Sequence, residues 1–281
     1  MKVLPFTIPK PKRDALILQE DKQAQFYGLL HQHEELQLSY VLNGSGSIVV
    51  GDSISGFNAG DILVLGGNIP HVFKSNPREE RDAHMLSIFF TETSFGDTFF
   101  ETEELKSLKS FFKKSQSGFK IAAPSKKTTK LFVSLWQVSK LECFIQFICL
   151  LRAINTAKFE SLSTFVSEKK YSDNEGQRMS AVFTYTIQHF KSEISLACIA
   201  KEAAMTQNAF CKYFKKRTRK TYVSFLNELR IEEACKLLRQ DPDSDIPSIA
   251  ERSGFQNISN FNRKFKQLKQ CTPREFRQQS T

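Results

Sequence analysis

IPSIAERSGFQNISNFNRKFKQLKQCTPREFR, residues 246–277, reads as two short helices joined by a tight corner. Pro247 fits the first turn of a helix, and Ile249, Ala250 and Ser253 give that helix one small-residue face. Gly254 stops it, and Phe255 is placed to plug the corner. Asn257, Ser259 or Asn260 can cap a second helix running to about Leu268. In that helix Phe261, Phe265 and Leu268 recur at spacings of four and three and are expected to face inward. The opposite face carries Ser259, Asn262, Arg263 and Lys266. Short polar donors beside long cations are the side chains that reach base edges and phosphates.

The same layout occurs upstream in ISLACIAKEAAMTQNAFCKYFKKRTRKTYVSFLNELR, residues 194–230. Phe210, Phe214, Lys215, Thr221 and Phe225 return as Phe261, Phe265, Lys266, Thr272 and Phe276, each pair 51 positions apart. Five matches in one register mark an internal duplication, which two unrelated amphipathic helix pairs would not produce. The offset makes Asn208, Cys211, Lys212 and Lys215 the upstream counterparts of the outward face, with Gln207 beside them. Between the two units Tyr222 to Arg239 reads as one long helix, ending before Asp241-Pro242.

Charge is divided the same way. The 281 residues carry a net +10, and from Arg178 onward 19 Lys and Arg stand against 10 Asp and Glu, leaving the first 177 residues close to neutral. A basic C-terminal half fits a polyanion-binding module joined to something that does not bind polyanions. Six cysteines without a C-x-x-C pair read as reduced thiols in a cytoplasmic protein, Cys211 being the one on the outward face. No signal peptide is expected, since Met1 to Arg13 is rich in proline and lysine, and the apolar run Cys143–Leu151 is too short to span a bilayer. The 26 phenylalanines predict aromatic cores in both halves.

Met1 to Lys12, with three prolines, reads as an extended arm. From Ala15 to Phe90 the period is two: Leu36, Leu38, Tyr40 and Leu42 alternate with Gln37, Ser39 and Val41, and Gly, Asn and Asp turns follow about every ten residues. Short strands so spaced predict an antiparallel barrel or sandwich, without fixing which strand face looks inward. His31-Gln32-His33 precedes its first clear strand and Pro70-His71 follows a later one. After Phe90 the pattern turns helical over Glu101–Lys114, with Leu105, Leu108 and Phe112 on one stripe. A broad apolar stripe then runs over Lys130–Ala157. A Ser-, Lys- and Glu-rich stretch ending in Ser-Asp-Asn-Glu-Gly separates the halves.

The chain resembles the AraC/XylS family of bacterial transcription regulators at Ile249-Ala250, Gly254-Phe255, Phe261, Arg263, Phe265-Lys266, Thr272-Pro273 and Phe276-Arg277. The resemblance continues through Arg230-Ile231, Ala234 and Leu237-Leu238. It departs from the family where Ala204, Arg219 and Gln270 stand in place of glycines. The H-x-H, Gly60-Asp61 and Pro70-His71 order resembles the cupin sensor domain of such regulators. The implied fold is α+β and multidomain. A cupin-like antiparallel β-barrel with accessory helices occupies 1–157 and serves ligand sensing and dimerisation. A linker covers 158–177, and an all-α DNA-binding domain with two helix-turn-helix units covers 178–281.

The expected site residues follow. DNA contacts fall to Gln207, Asn208, Cys211, Lys212, Lys215, Ser259, Asn262, Arg263 and Lys266, with Lys212 and Arg263 first for bases and Lys215 and Lys266 for phosphates. Effector contacts fall to His31, His33, Glu35, Tyr40 and His71. Metal-binding cupins add a glutamate a few residues beyond the second histidine. Gln37 or Leu38 stands there and Glu34 and Glu35 come too early, so no metal or cofactor is assigned. The histidines are then cavity-lining hydrogen-bonding groups, structural rim residues or, as the remaining alternative, metal ligands.

The resemblance implies a non-enzymatic regulator controlled by a small ligand such as a sugar. Its partners would be double-stranded DNA, a second copy of itself and RNA polymerase, with no membrane. The competing reading is a metal-dependent cupin enzyme fused to a DNA-binding domain.

Overall fold

The computed structural model describes residues 14–51, 53–75, 83–163, 173–241 and 243–280. The arm expected over Met1–Lys12 lies outside them. The chain forms two compact units that part between Gly176 and Gln177.

The first unit opens with β1 (Ile17–Gln23), β2 (Leu36–Asn43), β3 (Gly46–Val50), β4 (Ser53–Phe57), β5 (Ile62–Leu65), β6 (His71–Ser75) and β7 (Ala83–Phe90). Two later strands, β8 (Phe119–Ile121) and β9 (Glu160–Ser161), complete a six-stranded sheet in the order β1-β7-β2-β5-β8-β9, and a second sheet runs β4-β3-β6. The two sheets close on one interior formed by Val41, Ile48, Val50, Phe57, Leu63, Leu65 and Phe73. The result fits the expected antiparallel β-barrel, hydrogen-bonded as two sheets that do not close into one among the described residues.

The two faces of β2 have different partners. Leu36 and Leu38, with the partly buried Tyr40 and Leu42, join a cluster containing Phe111, Phe132, Phe147 and Leu151 from the helices beyond the sheet. Val41 belongs to the barrel interior. The period of two thus sorts one strand between two cores.

The helical layer differs in detail from its expected form. Glu101–Lys114 is not one helix: 3-10 turns cover Phe99–Glu101 and Glu103–Leu108 before α1 (Lys109–Ser115) begins. Three residues per turn place Leu105 and Leu108 on one edge. The stripe over Lys130–Ala157 is carried by two helices, α2 (Lys126–Ser134) and α3 (Lys140–Thr156). Ser139 marks the break, because its hydroxyl accepts from the Glu142 N–H at 3.3 Å and so starts a new helix.

The second unit consists of α4 (Asp173–His189), α5 (Leu196–Glu202), α6 (Gln207–Thr218), α7 (Tyr222–Gln240), α8 (Ile246–Arg252), α9 (Ile258–Lys269) and α10 (Pro273–Ser280). The stretch expected as a linker over 158–177 contains β9 and the first residues of α4, while 164–172 lies outside the described residues. α7 is shared by two aromatic cores. Its first turn packs Tyr222 and Phe225 on Phe183, Phe210 and Phe214, with centroid separations of 4.9–5.7 Å. Its second half sets Ile231, Ala234, Leu237 and Leu238 against Ile249, Phe255, Phe261 and Phe265. Each ring so buried contributes roughly 1.5–3 kcal/mol, which binds both helix pairs to one shaft.

Leu268, expected to face inward, is exposed. Phe276 from α10 takes the place beside Phe265, with ring centroids 5.6 Å apart.

Candidate DNA-reading face and effector cavity

The duplication is visible in the caps. Thr206 accepts from Ala209 N–H at 3.3 Å to start α6, and Asn257 accepts from Asn260 N–H at 3.0 Å to start α9. α6 ends on Arg219 at φ 54° and α9 on Gln270 at φ 59°, both left-handed, and Ala204 sits at φ 52° in the first corner. The three non-glycine residues therefore adopt the conformation their positions require, at about 1 kcal/mol each. Gly254, at φ 97°, turns the second corner.

All nine residues expected to meet DNA are exposed: Gln207, Asn208, Cys211, Lys212 and Lys215 on α6, and Ser259, Asn262, Arg263 and Lys266 on α9. Arg263 Nη2 donates to Asn260 Oδ1 at 2.8 Å, so the base-reading candidate of α9 is held by a neighbour one turn away. Sequence reading treated Asn260 as a cap candidate and missed this contact, although a spacing of three on a helix was the available signal. Lys269, by contrast, is half-buried in an ion pair with Glu232 of α7, which removes it from the outward face.

In the first unit a cavity of about 270 Å³ is lined by Tyr27, Phe73, Met85 and Phe89 together with Gln19, Asp21, His31 and Gln37. Gln19 Nε2 donates to both Asp21 carboxylate oxygens, at 3.0 and 2.8 Å. Burial raises the Tyr27 pKa, keeping the phenol neutral. A buried polar chain runs inward from the cavity. His33 Nε2 meets Gln37 Oε1 at 3.0 Å, Gln37 Nε2 donates to Ser39 Oγ at 2.8 Å, and Ser39 Oγ meets Ser87 Oγ at 2.8 Å.

Of the five residues expected to contact effector, His31 lines this cavity. His33 and His71 pack against it, with ring centroids 5.9 and 4.2 Å from that of His31. Glu35 is partly buried, and its backbone carbonyl accepts from His33 Nδ1 at 2.9 Å. Tyr40 does not join them: it lies on the helix-facing side of β2, 5.7 Å from the Phe132 ring. The polar side of β2 is the inward one, and Gln37, which sequence reading set aside as a missing acid, is the strand's cavity residue.

Residues 15–99 match the family described as an AraC-like ligand binding domain, and residues 199–279 match a helix-turn-helix domain. Along most of its length the chain is similar to the uncharacterized HTH-type transcriptional regulator YdeC of Bacillus subtilis. The two are 22% identical over 262 residues, covering 90% of this chain and 87% of that one. It is 24% identical over 254 residues to the HTH-type transcriptional activator RhaR of Mannheimia succiniciproducens, covering 88% and 86%. Among solved structures, ToxT from Vibrio cholerae O395 aligns over 95% of this chain and 98% of its own at 15% identity and a TM-score of 0.38. No described helix is long and apolar enough to cross a membrane. With a ligand-binding domain of this type ahead of a duplicated helix-turn-helix unit, the chain belongs to the AraC family of transcription regulators.

Proposed function

We propose that the protein is a homodimeric cytoplasmic regulator that reads a bipartite operator with α6 and α9 and answers to a small polyhydroxylated effector in the barrel cavity. The observation that carries the reading is the exposure of the same face on two helices repeated at one offset, each with its own cap and left-handed exit. Two such helices on one shaft suit successive major grooves about 34 Å apart. Lys212 and Arg263 serve as base readers, and Lys215 and Lys266, nearer the helix ends, as phosphate contacts. Gln207, Asn208, Ser259 and Asn262 supply shorter donors, and Cys211 lies among them.

In the cavity, the amides of Gln19 and Gln37 and the carboxylate of Asp21 are partners for hydroxyl groups, while Phe73 and Phe89 offer apolar faces to a ring such as that of a sugar. Effector binding would shift the population of DNA-competent chains and hence recruitment of RNA polymerase.

The reading is tested with the full chain on a library of operator variants. Arg263→Ala is expected to cost roughly 1–3 kcal/mol and to relax preference at one operator position. Lys266→Ala should weaken every operator alike and lower the salt slope of binding by about 1. Equal losses on every sequence from both substitutions would refute these roles.

A further inference from the structure

We propose that His31, His33 and His71 form a binding site for a late first-row divalent cation such as zinc, cobalt or nickel, with the Gln37 amide oxygen as a fourth donor. One ring nitrogen from each histidine lies within 4.8 Å of the others, and all three residues are buried. Three atoms so spaced all lie within about 2.8 Å of some common point, against a Zn–N bond of about 2.0–2.1 Å. Ring rotations of under an ångström close the difference.

The outer partners of the rings point the same way. Nδ1 of His31 lies 2.9 Å from the Leu29 carbonyl, Nδ1 of His33 lies 2.9 Å from the Glu35 carbonyl, and Nδ1 of His71 lies 2.8 Å from the Ile69 carbonyl. A carbonyl accepts only, so Nδ1 of His31 and of His71 carries the proton and their Nε2 atoms are the lone-pair side. That is the arrangement around metal-ligating histidines, whose second nitrogen donates to a carbonyl or carboxylate. His33 faces an acceptor on each nitrogen, and the Nε2 proton it shares with Gln37 Oε1 at 3.0 Å is what a bound ion would displace. A Glu35 carboxylate oxygen 3.9 Å from His33 Nδ1 adds a compensating negative charge.

The backbone fixes the placement. His31 and His71 form an isolated antiparallel bridge, His31 N–H donating to the His71 carbonyl at 3.0 Å and His71 N–H to the His31 carbonyl at 2.9 Å. Two of the imidazoles are thereby set side by side without help from an ion. Gln37 Oε1 already lies 3.0 Å from His33 Nε2. An amide oxygen is a neutral and weaker donor than the carboxylate common in such sites, so imidazole-favouring ions are preferred over magnesium or calcium.

The test is independent of DNA binding. The full chain, stripped with a chelator, is titrated with cobalt(II), following visible d–d absorption, and with zinc(II) by calorimetry. One ion per chain is expected, with affinity at least tenfold weaker in His71→Ala and in His33→Ala. Gln37→Glu, which supplies the charged donor, should bind at least tenfold more tightly. This second arm keeps the proposal testable if a histidine variant fails to fold. Absence of saturable binding, or binding unmoved by both His71→Ala and Gln37→Glu, overturns the site and assigns any bound ion to surface groups.

Discussion

Gly254 has no room for a side chain. A methyl group at its α-carbon would stand 2.6 Å from the Phe190 carbonyl oxygen and 2.9 Å from Arg230 Nε, at a φ of 97° that side chains avoid. Those two atoms are themselves hydrogen-bonded at 2.7 Å, so neither yields cheaply. Gly254→Ala is expected to destabilise the chain by about 2 kcal/mol or more, read as a fall in Tm. This glycine was legible from the sequence, as was the need for Ala204, Arg219 and Gln270 to turn left-handed where glycine is usual. Tyr40 was not. Alternation separates Tyr40 from Gln37, but the choice of inward face depends on helices that follow some 90 residues later in the chain.

At the scale of elements, the cap of α9 was legible among three candidates, Asn257, Ser259 and Asn260, whereas the other caps emerge only from the structure. Asn257 begins α9, Thr221 begins α7, and Thr272 and Glu275 close a reciprocal pair at the head of α10. Asn257→Ala should cost about 1 kcal/mol in urea unfolding. It should also weaken operator binding, because it loosens the first turn of α9 that carries Ser259. A matching loss of stability with unchanged affinity would show that DNA itself orders that turn. Helix interiors were less legible. The periodicity of Lys130–Ala157 runs across Ser139 without interruption, and the break appears only once the serine is recognised as a cap. In 99–115 the tight 3-10 turns keep the same stripe inward, so apolar spacing alone could not separate them from one α-helix.

For the whole molecule, the feature that bears on assembly is the outer face of α3. Leu141 is 71% exposed and Ile145, one turn on, is 48% exposed. Large side chains at that spacing on an otherwise packed helix suit a second copy of the same face. In the homodimer proposed above, replacing both with glutamate is expected to leave a monomer in sedimentation at micromolar concentration, with Tm changed little because neither side chain is in the core. A dimer that survived the double substitution would place the interface elsewhere. The two-domain reading came from charge and period, which change together along the chain. The cavity came from neither, since its lining is drawn from β1, β2, β6, β7 and the segment before β2, brought together by sheet order rather than by sequence proximity.

The division of β2 between two cores also gives the protein an optical reporter. The chain has one tryptophan, Trp136. It stacks on Phe132 with ring planes 14° apart, and Phe132 in turn meets Tyr40 on the far side of the strand from Gln37. Anything that moves β2 from the cavity side therefore displaces the surroundings of a single fluorophore. Its emission should change when the cavity is occupied, in the unmodified chain and without DNA, and Phe132→Leu should mute the response while leaving occupancy intact. An emission spectrum indifferent to every bound ligand would mean that the strand holds still and that the signal leaves the barrel by another edge.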